Sequence, residues 1–361
     1  MASATVIRPG APAARLERRL EDRANNFDVL RLLAATLVLV SHCYPLTGRP
    51  EPFAAVSGWT MGEVGVVMFF AMSGFLIAKS WSDQPQIRPF AAKRALRLLP
   101  ALVVAVLLTA LVIGPVFTSL TVAQYYTDPG TWGYIVRNCL LYTVAGRLPG
   151  VFEDNVYPDA VNGSLWTLPV EAAAYVMAAT LGVLGILRRS TPLLLLVGAL
   201  ALLASGVVPL TGSAADTTTG GNARIVVQLI AAFALGSLLF SARGRIPLSW
   251  PVLGLLTALW VLSFDSRWTV PAGVLAIGYG VLVLAFRTPG RLRAVTAPGD
   301  VSYGIYVYAF PVQQSVAAVW GAGLAPAAMA VLAFPVTYVL ALLSWRLVER
   351  PALRLKRLVA S

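Results

Sequence analysis

Two basic residues stand inside the first apolar run of the chain, FDVLRLLAATLVLVSHCYPL: Arg31 and His42. On a helix turning about 100° per residue, their spacing falls about 20° from three full turns, so both occupy one face. The axial separation is roughly 16–17 Å. An arginine or histidine inside a membrane span is costly and faces a bundle interior or a water-filled cavity. A guanidinium there supplies anion binding, and a neutral imidazole supplies proton transfer or nucleophilic attack. The bland alternatives are an Arg31 that snorkels to the headgroups and a His42 that merely ends the helix at an interface. The common face weighs against both together.

A second group follows in GEVGVVMFFAMSGFLIAKS and FAAKRALRLLPAL. Gly62, Gly65, Ser73 and Gly74 are small residues of the kind that let helices approach closely, and taken alone the SGFL run reads as packing. Lys93, Arg94 and Arg97 then precede the third apolar run. Such a cluster fits cytoplasmic topology, yet Arg94 and Arg97 lie three apart on a helix start and can clamp one polyanion such as a nucleotide phosphate. The third group is NGSLWTLPVEAAAYV, where Glu171 lies about two turns into an otherwise apolar helix and needs a partner there. Asn162 or Ser164 is expected to cap this helix and Pro169 to kink it. Later, Pro311 is expected to break the helix carrying SYGIYVYAFPVQQ. Glu349 and Pro351 are expected to end the last one, with Glu349 pairing with nearby arginines.

The elements that must position these residues follow from composition. Of the 361 residues, 58% are hydrophobic and 12% charged, with a mean hydropathy of +0.75. Soluble domains carry about 45–50% apolar and about 25% charged residues, so the chain is an all-α polytopic membrane protein. Apolar stretches long enough to span, at about 20 residues each, run near 27–46, 59–80, 98–118, 165–187, 191–210, 223–241, 247–264, 268–286, 302–321 and 326–345. That makes about ten transmembrane helices. The stretch 131–146, with Arg137, Asn138 and Cys139, is too short and polar, and reads as an interfacial or re-entrant element in a loop from about 119 to 163.

The net charge of +12 and pI near 10.2 suggest nucleic acid in a soluble protein, but here they test topology. With both termini cytoplasmic, the inner segments hold 22 of the 28 basic residues. The outer loops then keep five, Arg49, Arg137, Arg147, Arg224 and Arg267, with Arg31 inside the first span. An eleventh span at 131–146 would reverse every later basic loop against the positive-inside rule. The division is therefore a cytoplasmic tail at 1–26, a transmembrane domain at 27–346 and a cytoplasmic tail at 347–361, with no cleavable leader, no appended soluble domain and a multi-pass location in the cell (inner) membrane. RLERRLEDR reads as a charged helix facing lipid headgroups. Two cysteines, Cys43 and Cys139, and a single histidine leave no disulfide scaffold and no metal site.

These motifs, in this order, are similar to those of the integral-membrane acyltransferase-3 family. Arg31-x10-His42, SGFL at Ser73–Leu76, Arg94-x-x-Arg97, WTLPVE at Trp166–Glu171, and the SYGIYVYAFP and ERP segments carry the resemblance over about 27–352. The family moves acyl groups, usually acetyl from acetyl-CoA, onto sugars of glycans and glycolipids or onto small metabolites. The resemblance implies that Arg31, Arg94 and Arg97 serve acetyl-CoA, the acyl donor, with no metal, and Ser73 of the SGFL run is expected beside them in donor binding. The resemblance also implies a functional role for His42, and Glu171, read from its place in an apolar helix, is expected to join it as the second catalytic residue. Where the family often reads Y-x-x-Y-x-x-H-x-P, this chain has Tyr308, Ala309 and Phe310 before Pro311 and so no second imidazole. The C-terminal hydrolase-like domain of some members has no counterpart, which makes this the stand-alone form.

On that reading, cytoplasmic acetyl-CoA rests its phosphates on Arg94 and Arg97, with Arg31 next inward. The pantetheine arm then spans toward His42. His42 serves either as general base on a hydroxyl of a carbohydrate or glycolipid acceptor or as transient acyl acceptor. Glu171 orients His42 or binds sugar hydroxyls. Trp166 and the tyrosines of 125–157 are either sugar-stacking residues or part of the aromatic belt. The partners are acyl-CoA, the acceptor and membrane lipids, and not nucleic acid. A proton-coupled glycan or lipid transporter using His42 and Glu171 is the competing reading. The absence of inverted Gly/Pro-broken repeats counts against it.

Overall fold

A computed structural model describes Leu16 and residues 25–141, 145–158, 160–206, 223–321 and 323–356. Each of the ten apolar stretches carries a helix: α1 (Phe27–Leu46), α2 (Met61–Asp83), α3 (Ile87–Phe117), α4 (Thr167–Val183), α5 (Ser190–Ala204), α6 (Ala223–Ser241), α7 (Trp250–Leu262), α8 (Thr269–Arg287), α9 (Ser302–Trp320) and α10 (Pro326–Arg354). Six of them, α1, α2, α3, α6, α8 and α10, are long and apolar enough to cross a membrane, and α4, α5 and α7 are shorter apolar helices. This is an all-helical, multi-pass architecture. The RLERRLEDR segment, apart from Leu16, and Asp159 lie outside the described residues.

α2 is the helix around which the others gather. Thr60 caps it: the hydroxyl accepts from the Glu63 amide and the Glu63 carboxylate accepts from the Thr60 amide, satisfying two of the free donors at a helix start. Small residues then allow backbone contact on two sides. A Cβ added at Gly74 would lie 1.9 Å from the Phe233 carbonyl oxygen of α6, and one added at Gly236 would lie 2.1 Å from that of Ala71. Gly65 meets α1 in the same way, 2.5 Å from the Ala34 oxygen. Phe75 fills the adjacent core with edge-on contacts to Phe240 and Phe286.

Proline is absorbed rather than disruptive. The helix α9 runs through Pro311 instead of breaking there. Pro311 has no N–H, so the Val307 carbonyl four residues earlier loses its helical partner; Asn162 replaces it, donating from Nδ2 at 2.9 Å. Neither expected residue caps α4: Asn162 Oδ1 accepts from the Ser164 amide, and the helix begins at Thr167 with Trp166 at the N-cap position making no side-chain capping bond. Pro169 therefore falls in the first turn, where a missing N–H costs nothing, and demands no kink. Similarly, α10 continues past Glu349 and Pro351 through a π turn at Trp345–Glu349.

A π turn at Thr109–Ile113 in α3 frees two carbonyls. The hydroxyls of Tyr125 and Tyr126 donate to those of Ala110 and Leu111 at 2.7 and 2.9 Å. This anchors the long loop, whose helix Pro129–Leu140 has 12 residues, far short of the about 20 a span needs.

Candidate functional site

Two cavities lie toward opposite ends of α1, one around Arg31 and one around His42. The first, of about 120 Å³, is lined by Arg31 from α1, Ser73 from α2, Arg94 and Arg97 from α3, and Glu171 and Tyr175 from α4. The four residues expected to bind a donor thus meet in one place, and Glu171 stands among them. The Tyr175 hydroxyl donates to the Glu171 carboxylate one turn earlier.

The three guanidiniums are not equivalent. Arg31 is held by Asp28 at 2.5 Å, and Arg97 by Asp300 at 2.6 Å and by Glu349 at 3.5 Å. Asp300, in the loop before α9, also reaches Arg31 at 3.7 Å. Arg94 has no ion pair among the described residues. It donates to Ser80 Oγ at 3.4 Å, lies near the rings of Phe90 and Tyr175, and keeps a buried Nε–H without an acceptor. Arg94 is therefore the guanidinium with capacity for an incoming anion. Lys356, just past α10, adds charge to this end: burial first, then Arg94, Arg97, Lys93 and Arg31, push its ammonium down to about 8.

The second cavity, of about 370 Å³, is lined by His42, Glu51, Glu63, Ser164, Trp166 and Gln228 among others. The His42 ring packs edge-on against Phe310 with centroids 5.0 Å apart, and its buried Nδ1 has no partner. Ser41, the preceding residue, donates to the Glu51 carboxylate at 2.6 Å, and Glu51 also accepts from the Met61 amide at the start of α2. Glu171 lines the other cavity, and His42 Nδ1 makes no hydrogen bond with it or with any other described residue. The wall between the cavities is shared: Val66 and Tyr306 line both. Tyr306 is pinned there by a 2.5 Å hydrogen bond with Thr167 Oγ1 and an edge-on contact with Phe69.

Asp300, Tyr175, Tyr306, Glu51 and Gln228 were not among the residues expected from the sequence. Only Asp300 carried a local signal, as the lone acid in an otherwise basic segment, 287–301. Among the described residues no three His, Cys, Asp or Glu side chains are grouped as metal ligands. What the two cavities offer is anion binding at one end and hydroxyl recognition beside an imidazole at the other.

Comparison with known proteins gives this geometry a context. The acyltransferase-domain model of the acyltransferase-3 family matches residues 25–346. The chain is 35% identical over 157 residues to an O-acetyl transferase of Shigella phage Sf6, a match covering 43% of this chain and 45% of that protein, so the chain aligns with less than half of that relative's length. It is 30% identical over 356 residues to nodulation protein 10 of Rhizobium leguminosarum bv. viciae, covering 92% of this chain and 94% of that protein. No solved structure matches.

Proposed function

The chain belongs to the acyltransferase-3 family, and we propose that it transfers acetyl from acetyl-CoA to a hydroxyl of a glycan or glycolipid, with His42 as general base. The observation that carries this reading is the shared wall: an arginine cavity and an imidazole cavity that have Val66 and Tyr306 in common among their lining residues. The relative named as an O-acetyl transferase supports the acetyl group and the oxygen acceptor.

In this mechanism the donor's phosphates rest at the Arg94 end, close to Lys356. The extended pantetheine arm runs alongside α1, whose rise from Arg31 to His42 is roughly 16 Å, and Glu171 and Tyr175 offer polar groups to its amides. His42 takes the proton of the acceptor hydroxyl as the oxygen attacks the thioester carbonyl. The carbon–sulfur bond then breaks, the imidazolium returns the proton to the thiolate, and the products are the acetyl ester and CoA. Loss of such a base typically costs about 10²–10⁴ in rate.

The topology belongs to the same proposal: ten spans in the inner membrane with both termini cytoplasmic. That places the Arg31 end of α1 inside, where acetyl-CoA is made, and the His42 end outside. The experiment is acetyl transfer by the purified protein in lipid nanodiscs, with labelled acetyl-CoA and a cell-envelope glycan extract. Label appearing in glycan ester, and absent with His42→Ala, supports the reading. A protein that binds acetyl-CoA yet releases no CoA and labels no glycan would overturn it.

A further inference from the structure

Three buried polar groups around the His42 cavity have nothing to bind. Gln228 on α6 is 3% exposed and Ser164, in the loop before α4, is 2% exposed. Both line the cavity, and Gln228 Nε2 and Ser164 Oγ lack any hydrogen-bond partner, as does His42 Nδ1. Leaving a buried donor or acceptor unmade carries its full desolvation penalty, and three such groups around one cavity mark a surface built for a polar ligand.

The character of that ligand follows from what else lines the space. The two carboxylates are already engaged: Glu51 by Ser41 and the Met61 amide, and Glu63 by the Thr60 amide. Arg49, exposed at the rim, is the cation among the lining residues, so two carboxylates stand against one solvated guanidinium and a polyanionic ligand is disfavoured. The amide of Gln228 and the hydroxyl of Ser164 suit neutral hydroxyls, which both donate and accept. Trp166 adds an apolar, flat surface of the kind that covers the C–H face of a pyranose ring. A volume of about 370 Å³ lies in the range of small-ligand pockets, roughly 300–1,000 Å³, and is the larger of the two cavities.

We propose that Gln228 and Ser164, with Trp166, form an acceptor subsite that recognises a neutral polyhydroxylated ring and presents one of its hydroxyls to His42. Gln228 and Ser164 set acceptor specificity, and neither takes part in proton transfer. The subsite deepens the acyl-transfer reading and rests on it for the role of His42, but sugar binding can be measured without any transfer.

The test uses the full chain in lipid nanodiscs with methyl glucoside, methyl galactoside and methyl mannoside as probes, read by saturation-transfer NMR of the ring protons. At least one probe should bind the wild type. Gln228→Ala and Ser164→Ala should each weaken that binding about tenfold while leaving the acetyl-CoA dissociation constant within about twofold, which also reports that the variants are folded. In transfer kinetics the same substitutions should raise the acceptor KM about tenfold with a smaller change in kcat. If Gln228→Ala does not fold, Gln228→Glu keeps the shape, loses the N–H donors and is held to the same criterion. Absence of binding by all three glycosides, or binding unchanged in folded variants, overturns the subsite. Binding that depends on Gln228 and Ser164 in a protein that transfers no acetyl would keep the subsite and overturn the acyl-transfer reading instead.

Discussion

Arg97 and Asp300 form a 2.6 Å ion pair that ties α3 to the loop before α9, and the same carboxylate oxygen reaches Arg31 of α1 at 3.7 Å. Burial alone would raise the Asp300 carboxyl, but the guanidiniums of Arg97 and Arg31 outweigh it and hold the group below the usual carboxylate range. With Glu349 also at 3.5 Å, Arg97 is committed to holding three helices together. Arg94, three residues earlier, is not.

That asymmetry separates two substitutions that look alike in the sequence. Arg97→Ala leaves Glu349 without its cation and Asp300 with only the longer Arg31 contact at 3.7 Å, and breaking a largely buried pair by removing one partner is destabilising by up to roughly 3–5 kcal/mol. Its expected signature is a large fall in melting temperature. Arg94→Ala removes no ion pair, so stability should hold while acetyl-CoA affinity falls about tenfold or more, in line with a charge-assisted contact of about 1.5–3 kcal/mol. Thermal unfolding and donor binding on the same preparations distinguish the two. Equal loss of donor affinity in two equally stable variants would restore the symmetric clamp.

Donor binding should also depend on pH through Lys356. Its ammonium is pushed down to about 8 by burial and by the surrounding cations, so it is charged below that pH and neutral above it. A polyanion favours the charged form. Acetyl-CoA affinity should therefore weaken as pH rises through about 8, and Lys356→Gln should flatten that limb while starting from a lower affinity. Calorimetric titration between about pH 7 and 9 gives the answer, and an unchanged limb in Lys356→Gln would assign it to another group.

How far the sequence reveals this arrangement depends on the range of each interaction. The ten helices are legible because a span declares itself by about 20 apolar residues in a row, and the Arg31–His42 face because helical periodicity is local. The side of the bundle on which Glu171 works is not legible: it depends on how α4 is shifted along α1, and that shift places Glu171 with the arginines. Pro311 reads locally as a break, and the donor that rescues the Val307 carbonyl is Asn162, far away in the chain. Gln228 gives no signal because a lone glutamine in an apolar helix has the same appearance whether it is satisfied or facing a ligand.

The glycine seam makes a packing prediction independent of catalysis. At Gly74 an added Cβ would stand 1.9 Å from the backbone oxygen of Phe233, and backbone cannot step aside as a flexible side chain can. Gly74→Ala should lower thermal stability by an amount typical of overpacking, about 1–3 kcal/mol or more. Gly254→Ala, where an added Cβ meets nothing within 4 Å, is the control and should be neutral or slightly stabilising. Both are read from melting temperature in one detergent.

The proposed topology places the loop between α3 and α4 outside the cell. Asp154 lies in that loop. In a background with Cys43 and Cys139 replaced by alanine, Asp154→Cys should react with an impermeant maleimide added to intact cells whose outer membrane has been permeabilised. Reaction only after the inner membrane is lysed would place this loop inside and reverse the orientation of both cavities.

The most demanding prediction concerns His42. It is the chain's single imidazole, it occupies the cavity across the Val66–Tyr306 wall from the arginines, and its Nδ1 is unpartnered. Removing it should abolish transfer without weakening donor binding, because it lines the other cavity and Arg31 and Arg97 are held by Asp28, Asp300 and Glu349 instead. His42→Ala is expected to lose about 10²–10⁴ in rate with an acetyl-CoA dissociation constant close to that of the wild type. His42→Gln preserves much of the shape and the hydrogen-bonding capacity but cannot carry a proton, so it should be nearly as inactive. That comparison separates proton transfer from simple positioning: a His42→Gln protein retaining more than about a tenth of the rate would show that a hydrogen bond suffices, and the base would then have to be sought on the acceptor itself.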